Sequence, residues 1–427
     1  MTESREDMLP HGPFQGKKPE LLAPAGNLAK LRTAFLFGAD ACYVGLKRFS
    51  MRQFAGNFSM ETLEEGLAIA RAMEKRVYVT VNILPNEVEL PDMADHFRKL
   101  EGLRPHGVIV GDAGAFALAR KVAPGLRLHL STQMSVTNSA SARFWFEQGI
   151  SRIVLARELS IDEIGALVRR VPGPLEVFIH GAVCIAYSGR CLLSLYWAGR
   201  DPRRGACAQG CRWKYAELED RLRPGVGNPV VEDERGTHFF DASDLCSLPV
   251  FDDLVATGVE ALKIEGRTRS QQYVGVVTDV YRTAIDTLWS QGREGFRRRL
   301  PELTKELENL TQRGFSTHFL TGEVPADSYN PGGSKLGNRN RFLGEVVERH
   351  AGGLRVRLSN EVRPGEVVEV RSPRMKSERT VLDQIRSRDG EILELAQHGM
   401  IIEVPGEFEA NAGALVRRGL TKEGENQ

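Results

Sequence analysis

Residues 20 to 290 predict an α/β fold, a TIM-like (β/α)8 barrel with a long cysteine-bearing insert, and the remainder a small C-terminal antiparallel β-barrel domain. Three observations carry this. Short β-rich runs alternate with helical runs eight times. The strands are near-continuous in apolar residues, the pattern of a parallel sheet covered on both faces. Beyond about residue 290 the rhythm changes to short strands and turns.

In order, ELLAPAG leads into LAKLRTAFLFGA, ACYVGL into TLEEGLAIARAMEK, and RVYVTVNIL into MADHFRKLEGL. HGVIVGD is followed by AGAFALARKVA, LRLHLSTQMSV by SARFWFEQG, and ISRIVLAREL by IDEIGALVRRV. LEVFIHGAVCI is the seventh strand. GVEALKIEGR, after the insert, is the eighth and precedes the helical QQYVGVVTDVYRTAIDTLW. REGFRRRLPELTKELENLTQRG reads as a further helix and YNPGGSKLGNRN as a Pro/Gly/Asn-rich linker. Six short strands follow: RFLGEVVERH, GGLRVRLS, EVVEVRSP, RTVLDQIRS, MIIEVP and ALVRRGL. The expected organisation is a flexible tail over 1–19, the barrel over 20–290 with its insert at 181–248, a connector over 291–337 and the β domain over 338–421.

Composition narrows the classes. A chain of 427 residues with 41% hydrophobic content buries a large core, and no apolar run approaches the length of roughly eighteen residues that spans a membrane. The opening MTESREDMLPHGPFQGKKPE lacks an apolar signal region, so the expectation is a cytoplasmic protein. A net charge of +1 forecasts no polyanionic partner, and any nucleic-acid surface must come from local clustering.

In α/β barrels the reacting groups gather at the carboxyl ends of the strands. Strand three ends on Asn82, strand four on Asp112, strand five on Ser131, Thr132 and Gln133, strand six on Arg157 and Glu158, strand seven on His180. Strand eight ends on Lys263, Glu265 and Arg267, whose period-two spacing points all three to one side. A single polar tip marks only the entry to a loop. Ionisable groups on nearly every tip predict a polar cavity for an anionic or heavily hydrogen-bonding substrate. His180, Lys263, Glu265, Arg267 and Glu158 are the catalytic candidates, and Asn82, Gln133 and Arg157 the binding ones. Loss of Lys263 or Arg267 is expected to abolish activity with little change in stability.

The insert after strand seven holds five of the six cysteines. Six residues separate Cys184 from Cys191 and three separate Cys207 from Cys211, with Cys246 further on. Disulfide scaffolds belong to short secreted chains, so thiols clustered in a long one read as metal ligands or catalytic groups. Zinc ribbons pair two C-x2-C knuckles, which are absent. Irregular spacing fits a [4Fe–4S] cluster better than Zn²⁺. Bland readings stand beside this: Cys211 as a spare thiol, Cys246 and Cys42 as small buried hydrophobes. A nucleophile pair of His180 with Cys184 or Cys191 is the competing use. There is no HExxH, GxSxG or P-loop motif.

The insert also interleaves Arg190, Arg200, Arg203, Arg204, Arg212 and Lys214 with Tyr187, Tyr196, Trp197, Trp213 and Tyr215. Cations for phosphates and aromatic faces for bases are the elements of RNA recognition, and a solvated basic loop is the equal alternative. Arg190, Arg203, Arg204 and Trp213 are the candidates for substrate contact. Arg355, Arg357, Arg371, Arg374, Lys376, Arg386, Arg388, Arg417 and Arg418 add basic character to the last domain.

ELLAPAG, GADACYVG, VNI, HLSTQ, SRIVLARELS, EVFIHGAVCIAYSGRCLLS, GACAQGCRW and LKIEGR together resemble the peptidase U32 (collagenase-like) family over about residues 20 to 285. The last domain resembles that family's C-terminal domain, which is similar to translation-factor β-barrels. AYSGRCLLS, RDPRRGACAQGCRW and the added domain are most similar to the family's tRNA-hydroxylating branch. The resemblance implies a cysteine-ligated [4Fe–4S] cluster and conversion of the wobble uridine of the tRNA anticodon loop to 5-hydroxyuridine, dependent on prephenate as a co-substrate. Related branches hydroxylate ribosomal RNA or the ubiquinone ring, and a few members carry the peptidase label. Carried over by motif, the invariant ligand pair falls on Cys184 and Cys191. The hydroxylating branch is similar in keeping Cys207 and Cys211, and the quinone branch in using the position of Cys246. All three are present, so the fourth ligand stays open. A collagenase-like protease and a non-catalytic RNA-binding or assembly factor are the remaining alternatives.

Overall fold

The structure, a computed structural model, describes residues 12–52, 56–212, 214–215, 231–233, 236–238, 242–323, 328 and 342–419. Strand and helix alternate as β1 (Glu20–Pro24), α1 (Leu28–Leu36), β2 (Ala41–Gly45), α2 (Met60–Ala72), β3 (Arg76–Val81), α3 (Leu90–Leu103) and β4 (Gly107–Val110). Then come α4 (Ala113–Val122), β5 (Leu128–Leu130), α5 (Ser139–Glu147), β6 (Arg152–Val154), α6 (Ile161–Val168) and β7 (Leu175–Ala182). The insert carries α7 (Leu193–Ala198), and α8 (Phe251–Ala256) leads to β8 (Ala261–Ile264) and α9 (Gln271–Glu308).

These eight strands pair in sequence, all parallel, and β8 closes the ring by pairing with both β7 and β1 (Leu262 opposite Val177 and Leu21). The fold is a closed TIM-like barrel, as the apolar runs predict. Leu21, Val44, Val79, Val108, Leu130, Ile153, Val177 and Leu262 are fully buried between sheet and helices. Each such side chain contributes about 1.5–3 kcal/mol by leaving water. The helices start where short polar residues cap them: Ser59 and Thr62 form a reciprocal box at α2, Ser160 and Glu163 another at α6. Asp112, a polar strand tip in the sequence, is likewise a cap; its Oδ1 accepts from the Ala115 amide at 2.8 Å.

The barrel interior is partly ionic. Glu20, on β1, accepts from the Tyr78 hydroxyl and from Arg152 at 2.6 Å; Arg152 also reaches Glu176 on β7 at 3.3 Å. Glu176 in turn takes Lys263 Nζ on β8 at 2.7 Å. This thread of alternating charges runs up the axis to the carboxyl ends of the strands.

Three details depart from the sequence reading. Residues 12–19, mostly exposed, touch α9 at two points, the Phe14 ring 5.5 Å from Trp289 and Lys18 paired with Asp286 at 2.7 Å. The two helices expected around residue 290 run on as α9, broken at Gly292 (φ 68°, ψ −167°), where a Cβ would stand 2.7 Å from the Gly12 carbonyl. Among the described residues the C-terminal domain has eight strands: β9 (Phe342–His350), β10 (Gly353–Leu358), β11 (Val367–Ser372), β12 (Lys376–Val381), β13 (Ile385–Ser387), β14 (Ile392–Leu393), β15 (Ile401–Pro405) and β16 (Leu415–Arg418). They form one antiparallel sheet in the order β12-β11-β16-β9-β10-β15-β13-β14 around their own apolar core. Among the described residues no ladder joins β12 to β14, so the sheet is not a hydrogen-bonded closed barrel.

That domain docks on α9. Leu415 and Phe342 pack on Phe37, Arg371 meets Asp279 at 3.4 Å and Glu306 at 3.2 Å, and Arg417 meets Glu306 at 2.9 Å. Arg371 and Arg417 are buried, and Arg355, Arg357, Lys376 and Arg418 pair with Glu403, Glu345, Glu409 and Glu366. Much of the basic character read as a nucleic-acid surface is spent on internal ion pairs.

Candidate functional site

A cavity of about 120 Å³ lies at the carboxyl ends of the strands, under the insert. Its floor is Lys263, 4% exposed, with Nζ 4.6 Å from the Tyr43 ring centroid and its charge matched by Glu176. Lys263, Glu265 and Arg267 all line the cavity, as their spacing predicts. Lys263 is at the same time part of the buried ionic thread, which sets a structural role beside the one expected in the cavity.

Glu265 accepts from the Tyr43 hydroxyl at 2.9 Å and pairs with Arg52 at 3.5 Å. Burial alone would raise its carboxyl, but Arg52, Arg157, the Tyr43 hydroxyl and Arg267 outweigh this and hold it at about 2. Glu265 is therefore ionised. Arg267 gives Nη1 to Thr80 Oγ1 at 2.9 Å and Nη2 to Ser50 Oγ at 2.8 Å. Burial lowers its guanidinium to about 10, still charged at neutral pH. It fits only because position 45 is glycine: a Cβ on Gly45 would lie 1.7 Å from Nη1.

Asn82 Oδ1 accepts from the Met51 amide at 3.1 Å, and Gln133 Oε1 accepts from Ser131 Oγ at 3.1 Å. Gly189 (φ 80°) in the insert presses on Gln133, where a Cβ would stand 2.9 Å from its Cγ. Arg157 lies flat on Phe178, 3.8 Å from the ring centroid, and donates to the Ala182 carbonyl at 2.5 Å. Cys184, Cys191 and Cys207 line the roof. The Arg52 guanidinium is within electrostatic reach of Cys184 and Cys207.

Other candidates lie elsewhere. His180 is 1% exposed and packs among Tyr273, Tyr281 and Phe315, with Nδ1 3.3 Å from the Tyr281 hydroxyl; burial lowers its imidazole to about 3. The cause is local: the β7–β8 register slips between Lys263 and Ile264, and β7 runs on to pair with the strand Asp244–Cys246, turning His180 toward α9. No described histidine lines the cavity, so the His180–cysteine nucleophile pair is not assembled. Glu158 is half-buried beside the cavity rather than in it, its carboxyl raised by burial. Arg190 is exposed on the insert. Arg203 pairs with Asp201 at 2.8 Å, and Arg204 is held by both oxygens of Glu89 at 2.8 and 2.6 Å. Trp213 lies outside the described residues.

The remaining thiols divide. Cys211 sits in a turn at Gly210–Arg212, outside the cavity lining. Cys246 is 4% exposed with Sγ 3.8 Å from the Tyr281 hydroxyl, and burial pushes its thiol up to about 11. Cys42 is fully buried and its thiol is pushed far up. Among the described residues no group of three or more His, Cys, Asp or Glu side chains is set to hold a single metal ion. A single zinc ion needs its sulfurs all within about 2.3 Å of one point, whereas an iron–sulfur cube spreads its ligands over four corners. Cys184, Cys191 and Cys207 are the thiols that line the cavity.

Sequence reasoning missed Tyr43, Ser50, Arg52, Thr80 and Glu176. Glu176 and Thr80 were legible as polar residues inside apolar strands, LEVFIH and VYVTVN; Arg52 lies on the loop after β2, whose tip carries the first cation of the cavity.

A closed parallel barrel with a cation-lined, thiol-roofed mouth and an appended antiparallel sheet is the class these elements define. The model of Peptidase family U32 matches residues 26–330 and that of the Peptidase family U32 C-terminal domain residues 338–417, so the chain belongs to peptidase family U32. Among its relatives, tRNA hydroxylation protein P of Escherichia coli (strain K12) is 34% identical over 444 residues, covering 94% of this chain and 97% of its own. tRNA hydroxylation protein P1 of Bacillus subtilis (strain 168) is 35% identical, covering 90% of this chain and 91% of its own. The 23S rRNA 5-hydroxycytidine C2501 synthase of Escherichia coli (strain K12) is 35% identical over 269 residues, 63% of this chain and 39% of its own. Among the described residues no helix is long and apolar enough to cross a membrane.

Proposed function

We propose that the chain hydroxylates RNA, converting the wobble uridine of the tRNA anticodon loop to 5-hydroxyuridine in the cytoplasm, with prephenate as co-substrate. The observation that carries this reading is the cavity itself, lined by Arg52, Arg157, Lys263, Arg267 and Glu265 beneath a roof of thiols, with Glu176 paired to Lys263 from below. An excess of positive charge suits a small anion. Similarity to relatives named for tRNA and rRNA hydroxylation, along nearly the full chain for the first, supports RNA as the second substrate.

Cys184, Cys191 and Cys207 would hold a [4Fe–4S] cluster, with Cys211 as the fourth ligand, since Cys246 is committed to the α9 packing. Such a cluster supplies redox capacity or an iron Lewis acid next to the anion site. The chain's own groups do the positioning. Arg267, fixed by Ser50 and Thr80, and Arg157, laid on Phe178, orient the anion, while ionised Glu265 keeps Arg52 in place. The target base must leave its stack to reach the cavity, and Tyr187, 47% exposed on the insert, is the stacking partner. Peptide hydrolysis by a cysteine–histidine pair has no support in this cavity, which no described histidine lines.

The deciding experiment is mass spectrometry of tRNA from cells lacking this protein. Loss of wobble 5-hydroxyuridine derivatives is expected. Their persistence, with no second enzyme making them, rejects the reading. A broad visible absorbance of anaerobically purified protein tests the cluster separately.

A further inference from the structure

A second cavity, of about 890 Å³, opens at the other end of the barrel. Its lining comes from the amino ends of the strands: Glu20 on β1, Arg76 on β3, Arg152 on β6, and Asp40 and Glu260 just ahead of β2 and β8. Phe14, Pro174, Val255, Val259 and Trp289 add an apolar wall. The cavity under the insert holds about 120 Å³, so this one has room for a ligand with a sizeable apolar body.

Charge is unbalanced along its inner surface. Glu20 already takes both Arg76 and Arg152 and accepts from the Tyr78 hydroxyl. Asp40 serves Arg282 at 3.1 Å, Lys75 at 3.8 Å and the Leu21 amide at 2.9 Å. Asp286 is shared between Arg282 at 3.1 Å and Lys18 at 2.7 Å. Arg76, Arg152, Arg282, Lys75 and Lys18 thus rest on only three carboxylates. Glu74 and Glu260 also line the cavity but are exposed to solvent, and Glu260 Oε2 is taken by the Leu175 amide at 2.7 Å. The Arg282 side chain is 15% exposed, and its buried Nε bonds to nothing among the described residues. Its stem fits because position 38 is glycine (φ 102°), where a Cβ would stand 2.5 Å from Arg282 Cγ.

We infer that this cavity binds a free nucleotide, its phosphate on Arg76, Arg282 and Lys75 and its base on the apolar wall beside Trp289. Guanidinium forks match phosphate oxygens, and aromatic faces match bases. RNA held at the insert lies at the opposite end of the barrel, which leaves this cavity to a small ligand. Arg152 lines the cavity and also belongs to the ionic thread, where Glu176 is shared between Arg152 at 3.3 Å and Lys263 at 2.7 Å. The site is therefore an effector site. A phosphate that draws on Arg152 changes what Glu176 must neutralise, and so reaches Lys263 on the floor of the other cavity. None of this depends on the reaction proposed above.

The test is calorimetric titration of the full chain at neutral pH with adenosine monophosphate, adenosine and inorganic phosphate. The monophosphate should bind, and each of its two halves should bind about tenfold or more weakly. Arg282→Gln and Arg76→Gln should each weaken the monophosphate by about tenfold, and Trp289→Ala by about fivefold or more. Arg282 braces Asp40 and Asp286, so melting is recorded for each variant; if Arg282→Gln does not fold, Arg76→Gln decides. No binding of the monophosphate, affinity equal to that of inorganic phosphate, or affinity unaltered in the arginine variants overturns the site. Displacement of the bound monophosphate by tRNA puts RNA here and also overturns it. Lys263→Met leaves Glu176 to Arg152 alone and should weaken the monophosphate by about fivefold or more from the far end of the thread. Unaltered affinity in Lys263→Met rejects the effector role.

Discussion

Replacing Lys263 by methionine keeps an unbranched stem in the barrel and removes the ammonium from its axis. Lys263 Nζ lies 2.7 Å from Glu176 Oε1, and the two side chains are 5% and 0% exposed, so the pair is largely shielded from bulk water. Breaking a buried pair by removing one partner costs about 3–5 kcal/mol. Glu176 keeps Arg152 at 3.3 Å, which places the expectation at the lower end, about 3 kcal/mol. At about 2–4 °C per kcal/mol for a domain of comparable size, the melting temperature should fall by about 6–12 °C. Urea unfolding of the full chain, followed by circular dichroism, measures this directly. The double variant Glu176→Gln with Lys263→Met removes both charges and should recover most of the loss, because no ion is then stranded. A Lys263→Met protein within about 0.5 kcal/mol of wild type would refute the reasoning. It would mean that the axis is hydrated and that Lys263 serves the ligand alone.

Cys191→Ala should lose bound iron, while Cys246→Ala should keep it, because Cys246 is packed against Tyr281 outside the cavity lining; iron content per chain distinguishes the two. Arg190→Glu should weaken RNA binding and flatten its salt dependence by about one unit. Arg203→Glu and Arg204→Glu should do less, since Asp201 and Glu89 already neutralise those side chains; binding titrations at several salt concentrations report the difference. Asp279 gives a pH signature. Burial raises its carboxyl from 3.8 to about 6 against the opposing pull of Arg371 and two backbone amides. A carboxyl raised in the folded state favours folding when protonated, so its contribution is full below 3.8 and is lost as pH rises through about 6. In Asp279→Asn that decline should vanish from the pH profile of the urea midpoint.

The barrel was legible because its strands are buried on both faces, which leaves runs such as RVYVTV and HGVIV with no alternation to misread. Lys263, Glu265 and Arg267 were legible for the same reason, as charges that an apolar strand keeps only for its interior. His180 was not. Its direction depends on a one-residue slip between β7 and β8 and on an extra antiparallel pairing with residues far along the chain, neither of which leaves a local mark. The basic count of the C-terminal domain misled because composition is silent on partners: Arg371 and Arg417 look like surface cations until Asp279, Glu306 and Glu369 are found beside them. The insert showed which residue types it carries, but not that Arg203 and Arg204 are already neutralised by Asp201 and Glu89.

The joint in α9 gives the C-terminal sheet a mechanical part. Gly292 interrupts the helix between Asp279 and Glu306, and a lone glycine with an open backbone would let the two segments swing. Arg371 grips both segments at once, Asp279 on one side of the break and Glu306 on the other. The sheet therefore acts as a splint across a jointed strut, and the strut's first segment is the one that shoulders His180 and the end of β7. Cutting the chain before residue 342 would do more than remove a second domain. It would strand two carboxylates and unlock the beam against which the cavity's last strands are braced.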